Sequence, residues 1–145
     1  MKVKCIANTG GSLSQKTIDA GYKKDSQLNV KIGSKYTVYS MIMRGDSLDY
    51  LIVGESLEAP SWYPAELFEV TNHLLPMTWL FTFDKYKNYK GEDSQIAIWG
   101  YKEMISDPEH YIALTEGKQK ALEVFIKRKQ EIDECEELRW FQTKK

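Results

Sequence analysis

The sequence predicts an α+β fold, with a small β-barrel in its first half, further strands, and a C-terminal amphipathic helix packed on it. Three observations carry this expectation. Residues 36–43 (Tyr-Thr-Val-Tyr-Ser-Met-Ile-Met) are largely β-branched or aromatic; the turn Arg44-Gly45-Asp46-Ser47 and a returning run, Tyr50-Leu51-Ile52-Val53, follow them. Between Lys118 and Glu137, Ala121, Leu122, Phe125, Ile132 and Cys135 fall on one stripe at helical spacing. The chain has 145 residues, 42% hydrophobic and 12% aromatic, which is enough apolar surface to offset chain entropy in a single domain.

Taken in order, Val3, Cys5 and Ala7 alternate with Lys2, Lys4 and Ile6 as a short first strand. Residues 8–27, rich in Gly, Ser, Thr, Lys and Asp, read as a long loop of a kind that is often functional. Leu28, Val30 and Ile32 alternate as a second strand before Gly33-Ser34, and the hairpin at 36–53 comes next. Residues 62–70, beginning Trp62-Tyr63-Pro64, read as a short turn closing into a last strand of this β part, which spans residues 1–72.

In residues 73–145, the runs at 79–83 and 95–99 predict two more strands. A polar loop from Asp84 to Ser94, holding Lys85, Tyr86, Lys87, Tyr89 and Lys90, joins them. Asp107-Pro108 starts a helix, with a capping residue ahead of Pro at the first helical position. The aromatics Trp140 and Phe141, beyond the long helix, are expected to fold back onto the barrel, since an exposed pair would form an apolar patch.

Several function classes find little in the residues. His73 and His110 have no Cys, His or carboxylate at ligand spacing, and no metal or other cofactor is expected; His73 reads as linker and His110 as helix surface. No nucleophile elbow is present, and Asn8-Thr9-Gly10-Gly11-Ser12 lacks the Lys-Ser/Thr of a phosphate loop, so no catalytic residue is assigned. The net charge of −1 argues against a general nucleic-acid or membrane-surface binder, and no apolar run approaches the roughly 18–20 residues of a span. The N-terminus lacks the apolar core of a secretory signal, and Cys5 and Cys135 read as reduced core residues; both point to the cytoplasm.

The near-zero total hides a partition. Residues 1–44 carry Lys2, Lys4, Lys16, Lys23, Lys24, Lys31, Lys35 and Arg44 against Asp19 and Asp25. Residues 45–84 contain no Lys or Arg but hold Asp46, Asp49, Glu55, Glu58, Glu66, Glu69 and Asp84, together with Tyr50, Trp62, Tyr63, Phe68 and Trp79. If that stretch stays on the outside unneutralised, it is a docking face for a basic protein: charge steers encounter and aromatics supply binding energy. Asp46, Asp49, Glu55, Glu58, Trp62, Glu66 and Glu69 are the candidate contacts. The competing reading folds the basic segment against the acidic one. The long helix is also polarised, with Lys127, Arg128 and Lys129 early and Glu134, Glu136 and Glu137 late, against its macrodipole. Its acidic end reads as a solvated terminus or a second contact for a basic partner.

The order of strand, long loop, paired strands, Pro-containing aromatic turn and short strand over residues 1–72 resembles an SH3-like barrel. The segments Lys2-Val3-Lys4-Cys5-Ile6-Ala7-Asn8-Thr9-Gly10, Gly33-Ser34-Lys35-Tyr36-Thr37-Val38-Tyr39 and Trp62-Tyr63-Pro64-Ala65-Glu66-Leu67-Phe68 are similar to those of a group of small bacterial proteins, as is Ile98-Trp99-Gly100-Tyr101-Lys102-Glu103 before a charged helix. That group resembles the immunity proteins of polymorphic-toxin and contact-dependent growth inhibition systems. The resemblance implies a non-enzymatic inhibitor that occludes a cognate toxin domain, often a basic nuclease. The alternative is an SH3-like adaptor binding a peptide or nucleic acid through aromatics near Tyr36, Tyr39, Trp62 and Tyr63.

Overall fold

Strand pairing sorts the β segments into two antiparallel sheets, one of three strands and one of five. The computed structural model describes residues 1–55, 59–87 and 93–144. The strands are β1 (Lys2–Cys5), β2 (Lys35–Thr37), β3 (Ser40–Arg44), β4 (Ser47–Val53), β5 (Pro60–Pro64), β6 (Phe68–Asn72), β7 (Leu80–Lys87) and β8 (Asp93–Gly100). The helices are α1 (Gln15–Asp19), α2 (Lys102–Ser106), α3 (Pro108–Thr115) and α4 (Gln119–Thr143). The small sheet runs β2-β1-β6 and the large one β5-β4-β3-β8-β7. The fold is thus α+β as expected, while no closed barrel forms among the described residues.

The large sheet is the middle of three layers, and the period of two along its strands explains why. In β4, Tyr50 and Ile52 turn to one side and join Val3, Cys5, Val38, Leu67 and Phe68 from the small sheet and its connections. Leu51, between them, turns to the other side with Ile42 and Ile98, and meets Tyr101, Met104, Leu114, Ala121, Phe125 and Ile132 from α2, α3 and α4. Each face of the central strands therefore has its own core. Ser40 is fully buried and donates to the Trp99 carbonyl at 2.7 Å. A side chain at Gly100 would place its Cβ 2.5 Å from the Ser40 Oγ, so glycine is what lets β8 pass this point.

Three helical features follow from local chemistry. Asp107 caps α3, its Oδ1 accepting from the Glu109 amide at 3.0 Å, with Pro108 at the first position. The expected stripe on α4 buries Ala121, Phe125 and Ile132, while Leu122 packs half-buried beside them. Arg128 of α4 forms a two-pronged bond to Glu103 of α2, at 2.8 and 2.7 Å, and a further one to Glu131 at 2.7 Å. The late acids of α4 are likewise used inside the fold. Asp133 accepts from Tyr39 and Lys129, and Glu136 pairs with the terminal ammonium of Met1.

Several expectations are corrected. Residues 28–32 are not a strand: the Leu28 amide donates to the Asn8 carbonyl and the Val30 amide to that of Leu28, so no partner strand is engaged. Within 8–27, a 3₁₀ turn (Gly10–Ser12) and α1 replace part of the long loop. The polar loop after residue 83 is shorter than expected, because β7 runs on to Lys87 and β8 begins at Asp93; Tyr89 and Lys90 lie outside the described residues. His110 is not a surface residue but is buried, its Nε2 2.7 Å from the Tyr101 hydroxyl. The tail is not a separate segment, because α4 continues to Thr143. Phe141 is largely exposed at the rim of a concavity shared with Lys2, Thr37 and Tyr39, and the Trp140 side chain lies outside what is described.

Candidate functional site

The acidic candidates are divided among separate places, and most meet a polar group of this same chain. Asp46, on the β3–β4 turn, forms an ion pair with Lys16 of α1, both side chains remaining largely in solvent. Glu66, in the 3₁₀ turn before β6, accepts from the Ser14 amide at 2.8 Å, the Ser14 hydroxyl at 2.6 Å and the Thr17 hydroxyl at 2.7 Å. These bonds clamp the start of α1 to the β part. Partial burial works against the charge on Glu66, but the Ser14 and Thr17 bonds with Lys16 prevail and hold its carboxyl below the usual range. Half-buried Asp49 is the opposite case. Burial pushes its carboxyl up, with Arg44 opposing and Glu66 adding to the rise.

The remaining candidates lie elsewhere. Glu55, exposed at the end of β4, accepts from the Tyr36 hydroxyl. Glu69 of β6 stands directly opposite Lys4 of β1. Trp62 is half-buried, its ring 5.8 Å from that of Tyr111 on α3, where the Arg44 guanidinium also stacks. Glu58 lies outside the described residues. The basic N-terminal segment thus supplies Lys16 to the acidic stretch, and α1 neutralises the corner around Asp46 and Glu66. A single unneutralised acidic face is not what these residues build. The aromatics of an adaptor groove are also spent elsewhere: Tyr36, Tyr39 and Tyr63 are core residues.

A different surface emerges at the far end of the large sheet. Register aligns Phe81 of β7 with Trp99 of β8 and Met41 of β3, and Phe83 with Ala97 and Met43. These rows lie on the sheet face whose β3–β4–β5 part the small sheet covers. At β7 and at the turn end of β3 they stay open: Phe81 is 55% exposed, Phe83 58% and Met43 37%. On β8 between them, Trp99 is half-buried and Ala97 buried. Phe81 and Trp99 lie with ring centroids 5.0 Å apart, tilted by 41°, so these two rings hold each other in place. Sequence reading overlooked it, although a signal was there. Trp79-Leu80-Phe81-Thr82-Phe83 is apolar at nearly every position, and a strand apolar on both sides must either be covered on both or leave one bare.

A second concavity, of about 820 Å³, lies between the last turns of α4 and the β1–β2 end; Tyr39, Asn72, Leu74, Asp133, Glu137 and Phe141 are among its walls. Arg139 ties this region together by donating to the Leu75 carbonyl at 2.7 Å. Among the described residues, no three His, Cys, Asp or Glu side chains gather as a metal site, and Cys5 and Cys135 are free thiols. No described helix is long and apolar enough to cross a membrane. In comparisons with known proteins, the chain matches no family model, no curated protein and no solved structure.

Proposed function

We propose that this chain is a non-enzymatic binding protein of the immunity or inhibitor type, which occludes a basic protein partner such as a toxin nuclease domain in the bacterial cytoplasm. The observation that carries a binding role is the open aromatic surface of Phe81, Phe83, Trp99 and Met43. A contiguous apolar patch on a folded chain is costly to keep in water and is the usual mark of a docking surface. The acidic contribution comes from Asp46, Glu55 and Glu69, which stay exposed although Asp46 pairs with Lys16 and Glu55 accepts from Tyr36. Asp46 is well placed for it, because Arg44 pairs with Ile96 and so brings the β3–β4 turn beside β8.

The strand arrangement supports reading the first six strands as an SH3-like unit. β1 sits between β2 and β6, β3 to β5 form a meander, and a 3₁₀ turn introduces β6. On that reading the β7–β8 hairpin and the helices are additions to it. The adaptor alternative has the same topology in its favour and the burial of Tyr36, Tyr39 and Tyr63 against it.

The test is binding to toxin-like domains, beginning with any that is encoded next to this chain, measured as complex stoichiometry and inhibition of the domain. A tight one-to-one complex is expected. Replacing Asp46, Glu55 and Glu69 together by Lys should slow association about tenfold and flatten its salt dependence, while Phe81→Ala with Phe83→Ala should speed dissociation. Weak binding to many short peptides instead would sink the inhibitor reading in favour of the adaptor.

A further inference from the structure

We propose that β7 is a self-association edge, along which two copies of this chain pair antiparallel about a two-fold axis to make one continuous sheet. The order of the large sheet leaves β7 at its end, bonded to β8 alone among the described residues. Its other side is a row of backbone donors and acceptors eight residues long, about 27 Å at 3.4 Å per residue. Folded chains usually shorten, cover, bulge or charge such an edge. β7 carries Asp84, Lys85 and Lys87 in its second half, but its first half, Leu80 to Phe83, bears no charge. Here the edge strand and its neighbour are the longest in the molecule at eight residues each, and β7 pairs with β8 without a shift of register from Leu80 to Lys87.

A second copy fits this edge for reasons of symmetry and area. Antiparallel pairing of identical strands is closed and isologous, so every bond made by one copy is returned by the other. The two-fold then stands perpendicular to the sheet. It brings Phe81 and Phe83 of both copies onto one face, where cross-strand aromatic pairs stabilise antiparallel ladders. Phe81, Phe83 and Leu80 are each at least half exposed, and burying the two rings removes roughly 100 Å² apiece from water. With the backbone edge, the contact hides on the order of 500 Å² per copy. That is about 1,000 Å² in all, the lower bound of a specific interface and the size of reversible rather than obligate contacts.

The experiment uses the full chain without any partner. Sedimentation equilibrium from low to high micromolar concentration should show the mass rising from 16.9 kDa towards twice that value, while hydrogen exchange of the β7 amides slows over the same range. Phe81→Lys with Phe83→Lys, at positions already in solvent, should leave the circular dichroism spectrum unchanged and weaken association at least about 30-fold. A monomer at all concentrations overturns the proposal, as does a dimer unaffected by the double substitution or one whose β7 amides gain no protection. Protection of β7 only in a complex with a different protein would assign the edge to that protein. A second copy and the proposed partner would compete for Phe81 and Phe83, so self-association is measured on the chain alone and the inhibitor reading separately, with the partner present.

Discussion

The two ends of the large sheet are finished differently. At the β4–β5 end, one face carries the small sheet and the other the helices, and Leu51, Ile52 and Tyr63 are almost completely enclosed. At the β7 end the helices still approach one face, but the other bears Phe81 and Phe83 in solvent, and the outer edge has no described partner strand. The same residue type, Phe, is therefore structural at one place and free for contact at another. Composition does not separate the two; what covers the sheet does. The enclosed end defines the fold, and the open end is where the molecule has surface left to use.

The sharpest way to break this comparison is to delete aromatic rings on either side of it. Phe125 is fully buried, with its ring edge-on to Tyr39 at 5.5 Å and tilted against Tyr101 at 6.5 Å. Phe125→Ala should cost about 3–5 kcal/mol in chemical denaturation, because the cavity cannot close around three rigid elements. Next comes Gly100→Ala, whose added Cβ would meet Ser40 and, at 3.4 Å, the Met104 Cγ. It should destabilise by about 1–3 kcal/mol, since β8 is held between β3 and β7 and has little room to shift.

Much of the enclosed part was legible in the sequence, and the reasons are local. The Asp107-Pro108 start, the stripe of Ala121, Phe125 and Ile132, and the hairpin around Gly45-Asp46 rest on capping, periodicity and turn chemistry, which act over a few residues. What was not legible depends on distant partners. Leu28, Val30 and Ile32 do alternate, with Val30 buried and Ile32 exposed, but their backbone bonds go to the Asn8 region rather than to a strand. His110 is buried with its ring edge-on to that of Tyr101, a residue nine positions earlier that periodicity alone does not bring to it. Whether the acidic stretch is neutralised was open in the sequence, because the pairing of Asp46 with Lys16 and the clamp of Glu66 by Ser14 exist only once α1 is folded against the β part.

The helical layer also makes the enclosed side sensitive to acid. Burial lowers the His110 pKa, with Glu103 and Asp107 opposing, so the folded chain binds this proton less readily than the unfolded chain does. Stability should be complete above about pH 6.5 and fall as pH drops below that, through the lowered folded value. The Arg128 guanidinium holds the Glu103 carboxyl down at about 2 against partial burial. That contribution is present above the unfolded value near 4.5 and is lost as pH falls towards 2. Thermal melts from pH 8 to pH 3 should show both losses. Glu103→Gln should remove the lower one at a cost of about 1–2 kcal/mol at neutral pH, the exposure of the pair reducing it.

The smallest effect is the one that sharpens the comparison most. Phe83→Ala should change stability by no more than about 0.5 kcal/mol when measured on dilute protein, because more than half of either ring is already in water. Phe81→Ala should cost about 1 kcal/mol, because it also loses the Trp99 ring contact. If the β7 edge pairs two copies, mass action adds stability to the unsubstituted chain alone as concentration rises. The gap between it and either variant should then widen with concentration, whereas the cost of Phe125→Ala should not. A loss above about 1.5 kcal/mol in dilute solution would mean that these rings are packed against something in the isolated chain. The open end of the sheet would then be as structural as the closed one.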